Sequence, residues 1–142
     1  MQKTVEYEKL TPRDMDALWE LQKKYKAEIG EDEPGEAEKA RLAEAIAKGV
    51  ISFYGARNET DLIGCCSVTV GFSTFDYRSC GVFEDFYICP AYRHRGVARQ
   101  LAAFAYRESG VGSLTVGCAD CDVPMYRAIG FSVPLGNLLA YE

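Results

Sequence analysis

The sequence predicts a single α/β (α+β) domain whose central sheet is mixed, mostly antiparallel and flanked by about four helices. One observation behind this is the order of the apolar patterns: strand, two helices, three strands suited to antiparallel pairing, helix, strand, helix, strand. Another is a unit at 82–109 that reads as a strand, a tight basic turn and a helix. The 142 residues suffice for one such domain, so residues 1–142 are expected to form a single unit.

The first third of the chain is predicted to form an edge strand and two helices. Residues 4–10 alternate polar and apolar side chains, as a half-exposed strand does. Thr11 and Pro12 are typical of a helix start, and the apolar side chains after them recur at helical spacing. A polar, acidic stretch covers 27–39, and residues 36–48 are predicted to form the second helix.

The middle of the chain is rich in β-branched and aromatic residues, and it predicts three strands, over 50–57, 62–72 and 82–88. Residues 73–81 are expected to connect the last two as a hairpin. The aromatic side chains in and beside this connection are expected mainly to pack in the hairpin or core, with cation–π binding of an amine as the alternative. These residues are Phe72, Phe75 and Tyr77.

The last third begins with a helix from Val97, whose apolar residues recur at helical spacing until Gly110 ends it. A short buried strand, a short helix with proline in its first turn, and two final strands are predicted to follow. Their ranges are 114–117, 122–129, 131–133 and 138–141.

Composition narrows the class of protein. The formal net charge is -5 and 26% of the residues are charged, which is ordinary for a soluble globular domain and unfavourable for nucleic-acid binding. No apolar run approaches the roughly 18 residues of a membrane span. The first ten residues lack the layout of a signal peptide. We therefore expect a cytoplasmic protein with neither membrane nor nucleic acid as a partner.

The six cysteines are expected to be free thiols, because nothing in the sequence indicates secretion. Cys118 and Cys121 match C-x-x-C, a spacing used for redox chemistry and for zinc. A structural zinc site needs a second ligand pair, and the other cysteines and the lone histidine are not spaced to supply one. The sequence thus predicts small, mostly buried cysteines and no metal, with a redox or metal role for this pair as the alternative.

The turn between the central strand and helix predicts an anion site. The strand is closed at Pro90, and Arg93, His94, Arg95 and Gly96 then lead into the helix. The first amides of a helix have no intrahelical partners and lie at the positive end of its dipole, and glycine allows close approach to them. A basic cluster on an acidic chain indicates a specific phosphate rather than a polyanion.

Three segments of the sequence resemble the GNAT superfamily of N-acetyltransferases. Arg93-x-x-Gly96-x-Ala98 is similar to its acyl-CoA pyrophosphate loop, Q/R-x-x-G-x-G/A, with alanine at the last position. The segments 84–87 and 126–131 look like two further signatures in the expected order. The resemblance covers essentially the whole chain. It implies a GNAT-like domain and transfer of acetyl from acetyl-CoA to a primary amine, with no metal.

The resemblance also implies roles for particular residues. In that family the central strand carries a bulge that splays its neighbour away, and the exposed backbone then pairs with the cofactor arm. The cofactor-binding residues implied are Phe86, Tyr87, Ile88, Arg93, His94, Arg95, Gly96, Val97 and Ala98. Glu84 is the implied base and Tyr126 the implied acid, with Asp85 in reserve as base. In a regular strand Glu84 and Asp85 point to opposite faces, so only one is expected to face the acceptor.

The acceptor is expected to be a small-molecule or peptide amine. The acidic stretch over 27–39 is either a solvated loop or, by resemblance, the flank of the acceptor channel. Members of the family often dimerise, so a homodimer is compatible with the resemblance. Two alternatives stay open beside transfer by direct attack: a non-catalytic acyl-CoA-binding module, and a cysteine-linked intermediate at Cys89. One departure from the family is Cys118–Cys121, where relatives often carry an asparagine.

Overall fold

The computed structural model describes residues 4–142, which form five strands and four α-helices. In chain order they are β1 (Glu6–Lys9), α1 (Met15–Glu28), α2 (Glu36–Ala47), β2 (Ile51–Arg57), β3 (Leu62–Ser73), β4 (Arg78–Ile88), α3 (Val97–Ser109), β5 (Ser113–Thr115) and α4 (Val123–Ala128). Short 3-10 turns precede α1, α3 and α4. None of the helices in this range is long and apolar enough to cross a membrane.

The strands form one sheet in the order β1-β2-β3-β4-β5. The first three pairings are antiparallel, and the last, between β4 and β5, is parallel because α3 carries the chain back across the sheet. The predicted α/β class and mixed, mostly antiparallel sheet are therefore confirmed.

Apolar cores lie on both faces of the sheet. The helices α1 and α2 cover one face, and the core there includes Leu18, Leu21, Phe53, Cys65 and Tyr87. The helices α3 and α4 cover the other face, where the core includes Tyr54, Val68, Phe83, Leu101 and Ala105. The strands β3 and β4 carry buried residues on both faces, so the middle of the sheet lies inside the core.

Helix ends follow the predicted signals closely. The backbone N–H of Thr11 donates to the Asp14 carboxylate at 2.8 Å, which satisfies a donor at the start of the first helical segment. Gly110 ends α3 in the left-handed conformation, with φ 67°. The bounds of α2, α3 and α4 lie within a residue of those predicted.

The connection between β3 and β4 is shorter than predicted. The strands extend toward each other until only residues 74–77 remain as the turn, because 78–81 pair with 70–73 instead of forming a loop. The aromatic side chains at this tip do not pack: Phe72, Phe75 and Tyr77 are 67%, 97% and 74% exposed.

The two final strands predicted at 131–133 and 138–141 do not form. Pro134 has no N–H to donate to a ladder, and Gly136 has φ 103°, which interrupts an extended chain. The neighbouring β5 is also only three residues long, ending at Thr115 rather than 117. Leu138 instead lies against Gly117, where an added Cβ would meet its side chain at 3.1 Å.

Candidate active site

The sheet opens between β4 and β5. These strands pair over only three residues each, Cys80–Val82 with Ser113–Thr115, whereas β4 continues to Ile88. Beyond Val82, the side of β4 that faces β5 therefore has no neighbouring strand among the described residues. An open strand edge of this kind offers backbone N–H and C=O groups to an extended ligand.

A bulge lies in β4 beside this opening. The register with β3 shifts so that two residues of β4, Asp85 and Phe86, lie opposite the single residue Cys66 of β3. Asp85 has φ 55°, a left-handed conformation that aspartate tolerates better than most residues. The bulge that the resemblance implied is thus present in this chain.

The bulge changes where the two carboxylates point. Glu84 is the cross-strand partner of Ser67, so these side chains share one face of the sheet. The Ser67 hydroxyl donates to the Asp85 carboxylate at 2.6 Å, which places Asp85 on the same side. The expectation that only one of the two faces the site is therefore wrong, because it assumed regular alternation. Both carboxylates point toward α1, where burial and then the charge of Asp85 raise the pKa of Tyr25.

Tyr126 approaches the opening from α4. Its ring packs against Phe86 and Phe131, with centroids 6.2 and 6.0 Å away. Burial, with a smaller effect from the nearby Tyr25, raises the pKa of Tyr126 to about 12. The phenol therefore keeps its proton throughout the neutral range, and Tyr25 is close to both the carboxylates and Tyr126.

The basic turn shapes the start of α3. His94 and Gly96 adopt left-handed conformations, with φ 63° and 82°. The first intrahelical bond runs from the Gln100 N–H to the Gly96 carbonyl at 3.1 Å, and Gly96, the N-cap residue, has no side chain with which to cap the helix. The missing side chain of Gly96 faces open space, with no atom of residues 4–142 within 4 Å of an added Cβ. The free amides and this open approach fit a pyrophosphate-type group.

The Arg93 side chain does not turn toward the start of α3, although the sequence predicted that it would donate to a phosphate. Its Nε donates to the Ile88 carbonyl at 2.8 Å, and its guanidinium pairs with Glu28 at 2.8 Å. The guanidinium also lies over the Tyr87 ring, 5.4 Å from the centroid. These contacts hold the turn against β4 and α1, because together they use most of the donors of Arg93.

The other residues of the turn differ in which groups they can offer to a ligand. His94 and Arg95 are exposed, with the Arg95 guanidinium 5.7 Å from the centre of the Tyr92 ring. Val97 is buried in the core against the sheet and Ala98 is half-buried. At the start of α3, side-chain donors can therefore come from His94 and Arg95, and Val97 and Ala98 offer only backbone.

Phe86, Tyr87 and Ile88 follow the bulge along the open edge. Tyr87 and Ile88 are 6% and 5% exposed, on opposite faces of the sheet, and Phe86 packs against Tyr126. Because their side chains are occupied in this way, only their backbone groups face the opening. The Ile88 carbonyl already accepts from Arg93, so the backbone of Phe86 and Tyr87 is the better placed part of this segment.

The cysteines divide into buried and exposed thiols. Cys118 and Cys121 are exposed and free, whereas the sequence predicted small buried residues. Cys89 is half-buried, and burial raises its pKa despite the lowering effect of Lys24 and Arg93. In residues 4–142, no three or more His, Cys, Asp or Glu side chains are grouped to hold a metal ion.

Two residues near the site were not identified from the sequence. Ser67 is a lone serine in the buried run 62–68. A single hydroxyl in an apolar strand needs a hydrogen-bond partner, and this could have identified Ser67 from the sequence. Tyr25 belongs by its spacing to the apolar side of the first helix. Nothing in its sequence context distinguishes it from a core tyrosine.

The sequence matches a family model described as Acetyltransferase (GNAT) domain over residues 50–133, which is more than half of the chain. The matched region contains β2, β3, β4, α3, β5 and α4. It therefore includes both the bulge and the basic turn. Comparison with curated protein sequences finds no match.

Solved structures with the same fold cover nearly the whole chain. A predicted acetyltransferase from Clostridium acetobutylicum, solved with acetyl-CoA, is 17% identical with a TM-score of 0.77, over 98% of this chain and 96% of that one. Glucosamine-6-phosphate N-acetyltransferase from Arabidopsis thaliana is 17% identical with a TM-score of 0.75, over 98% and 99%. An aminoglycoside acetyltransferase from an uncultured soil metagenomic sample, solved with sisomicin, is 14% identical with a TM-score of 0.82, over 97% and 95%.

The fold and the family match agree with each other. At these identities the structural neighbours show a shared fold, and the family model adds a match in sequence over the segment that forms the opening of the sheet. The chain is an acetyltransferase and belongs to the GNAT family.

Proposed function

We propose that the protein transfers the acetyl group of acetyl-CoA to a primary amine of a small molecule or peptide, by direct attack while both substrates are bound. The observation that carries this is the opening between β4 and β5, which has the uncapped start of α3 at one end and Glu84, Asp85 and Tyr126 beside it. Support also comes from the neighbour solved with acetyl-CoA and from those named for glucosamine-6-phosphate and aminoglycosides.

The donor would be held by backbone along this opening. The free amides of Val97 and Ala98, with the exposed His94 and Arg95, would bind the pyrophosphate. The edge of β4 at Phe86 and Tyr87 would pair with the amide-bearing arm as an added strand does. Acetyl-CoA supplies the acetyl group as an activated thioester.

Glu84 is the proposed base. Its side chain is exposed on the face of the sheet that points to α1, so an amine in solution can reach it. An incoming amine is an ammonium ion at neutral pH and must lose a proton before it attacks. Glu84 would accept that proton directly or through a water molecule, and Asp85 stays the reserve candidate.

Tyr126 is the proposed acid. A thiolate leaving group needs a proton, and a phenol whose pKa is raised to about 12 by burial carries one at neutral pH. The packing of its ring against Phe86 and Phe131 fixes the direction of the hydroxyl. The Tyr126 hydroxyl would thus donate to the departing sulfur.

Direct attack is preferred to a cysteine-linked intermediate. Cys89 is the cysteine nearest the turn in sequence, but burial raises its pKa and keeps the thiol protonated. A thiol in that state is a poor nucleophile, whereas holding both substrates together can supply much of the rate enhancement.

The first test is calorimetric titration of the purified protein with acetyl-CoA, free CoA and dephospho-CoA. We expect acetyl-CoA to bind in the micromolar range, and a Gly96→Glu variant to weaken that binding at least 10-fold, because the new side chain is an anion where the phosphates approach. Gly110→Glu is the matched control, since Gly110 is also left-handed with open space around it, at the other end of α3.

Turnover is then tested with acetyl-CoA and four amines: spermidine, kanamycin, lysine and a short peptide with a free N-terminus. Acetylation of any of them supports the proposed function. Binding of acetyl-CoA without turnover of an amine would favour a non-catalytic acyl-CoA-binding module. No binding of any CoA compound would overturn the proposal.

A further inference from the structure

The hydroxyl of Ser67 is committed to a single partner in the site. Ser67 is 0% exposed, and its neighbours along β3, Cys66 and Val68, are buried apolar residues. Its Oγ donates to Oδ2 of Asp85 at 2.6 Å, a short bond from a buried hydroxyl to a carboxylate. A hydroxyl placed in this core is costly unless it has such a partner, so the bond sets the orientation of both groups.

Asp85 is held by its backbone as well. Its φ of 55° belongs to a conformation that side-chain-bearing residues rarely adopt, and it results from the bulge opposite Cys66. The Cys65 thiol also contacts the Asp85 carbonyl at 3.5 Å. The Asp85 carboxylate therefore has a fixed direction, whereas the neighbouring Glu84 side chain is exposed and forms no hydrogen bond within residues 4–142.

Neither carboxylate forms an ion pair with a residue in the described part of the chain. Within residues 4–142, neither Glu84 nor Asp85 has a lysine, arginine or histidine nitrogen within 4 Å. Lys26 of α1, a cation close to Asp85, donates to Glu31 at 2.9 Å. Two negative charges thus face α1 together, and Asp85 is only partly buried.

On the basis of the proposed function, we propose that Ser67 is a positioning residue that holds Asp85 as the anionic binding group for the acceptor's ammonium. One carboxylate oxygen is occupied by Ser67, which leaves the other oxygen directed for an N–H donor of the amine. Glu84, which is free to move, then takes the proton. The bulge allows Asp85 to bind the ammonium and Glu84 to take the proton at the same amine, because it brings both carboxylates to one face of the sheet.

The test compares Ser67→Ala, Asp85→Asn and the double variant, using the amine among spermidine, kanamycin, lysine and the peptide that the wild type acetylates fastest. We expect Ser67→Ala to raise the KM for the amine about 10-fold and Asp85→Asn about 100-fold. The kcat should stay within about threefold and the KM for acetyl-CoA should not change. The double variant should match Asp85→Asn alone, because Ser67 acts through Asp85.

Two further variants keep the comparison interpretable. Thr69→Ala removes a hydroxyl from the same face of β3, and the Asp85 carboxylate accepts from Ser67 rather than from Thr69, so the kinetics of this variant should stay at the wild-type values. Ser67→Cys replaces the hydroxyl with a somewhat larger thiol that fills the site but donates weakly, so it should raise the amine KM even where Ser67→Ala does not fold.

The outcomes separate this inference from the proposed function. An unchanged amine KM in Ser67→Ala or Ser67→Cys, or a double variant about 10-fold worse than Asp85→Asn, overturns the role of Ser67 while acetyl transfer stands. A large fall in kcat with Asp85→Asn at constant KM would instead make Asp85 the base and overturn its assignment as a binding group. A wild type that acetylates none of the four amines overturns both proposals.

Discussion

At the scale of single residues, Tyr126, the proposed acid, shows how packing affects the protonation and orientation of a phenol. Aromatic neighbours shield the phenol partly from water, and the neutral form is favoured because the charged phenolate is less well solvated there. The same neighbours hold the ring in one orientation. A tyrosine in water also carries its proton at neutral pH. Burial therefore has two effects on Tyr126: the hydroxyl keeps its proton to a higher pH, and its direction is fixed.

Tyr126→Phe is expected to lower kcat about 100-fold, because it removes the proposed acid and keeps the packed ring. The affinity for acetyl-CoA, measured by calorimetry, should change less than about twofold. In the wild type, loss of the Tyr126 proton should not reduce the rate below about pH 11, since its pKa is raised to about 12. Tyr106→Phe, on the exposed side of α3, is the matched control and should be silent. Full activity of Tyr126→Phe would remove this residue as the acid.

At the scale of elements, one arginine joins three parts of the fold. Arg93 follows β4 in the chain, yet its side chain folds back to the Ile88 carbonyl at the end of that strand and to Glu28 at the end of α1. The turn before α3 is therefore held in place by a residue of the turn itself. Arg95, two residues later, is exposed and makes no such connection.

We expect Arg93→Ala to lower the free energy of unfolding by about 1–2 kcal/mol, mainly through the lost bond to the Ile88 carbonyl. The ion pair with Glu28 contributes little to this figure, because both side chains are partly exposed. Arg95→Ala should leave stability unchanged and weaken acetyl-CoA binding several-fold. Urea denaturation and calorimetry measure the two quantities. The opposite pattern, with Arg93→Ala stable and unable to bind, would mean that Arg93 contacts the phosphate.

At the scale of the whole molecule, burial keeps several thiol and phenol groups protonated to a higher pH than in water. Burial raises the pKa of the Cys65 and Cys66 thiols and of the Tyr54 and Tyr126 phenols. In the unfolded chain these groups release their protons near their ordinary values of 9.0 and 10.0. Between those values and the raised ones, the unfolded state binds fewer protons than the folded state, so stability falls as pH rises.

Urea denaturation from pH 7.5 to 10.5 in the presence of a reducing agent is expected to show this loss. Above about pH 9, each buried thiol should reduce the free energy of unfolding by roughly 1.4 kcal/mol per pH unit. Cys65→Ala should remove its share of that slope, whereas Cys118→Ala should not, because Cys118 is exposed. A stability that does not depend on pH in this range, or an unchanged slope in Cys65→Ala, would contradict the prediction.

The sequence by itself determined the order of the elements, the mixed sheet and the bounds of most helices. These follow from local features: apolar periodicity, a proline at the end of β4 and glycines with left-handed backbone at Gly96 and Gly110. The basic turn with an open glycine was predictable for the same reason, since its residues are adjacent in the chain. The strands predicted after 130 were wrong, because a strand also needs a partner, and β5 ends at Thr115.

Only the tertiary structure decided how the site is arranged. The Ser67–Asp85 bond joins residues 18 apart, and the Arg93–Glu28 pair joins residues 65 apart. No local pattern encodes such contacts, because they depend on the register of β3 with β4 and on the position of α1 across the sheet. The register in particular contains the bulge, which turned Asp85 to the same face as Glu84. Local chemistry therefore fixed which groups are present, and packing between distant segments fixed where they point.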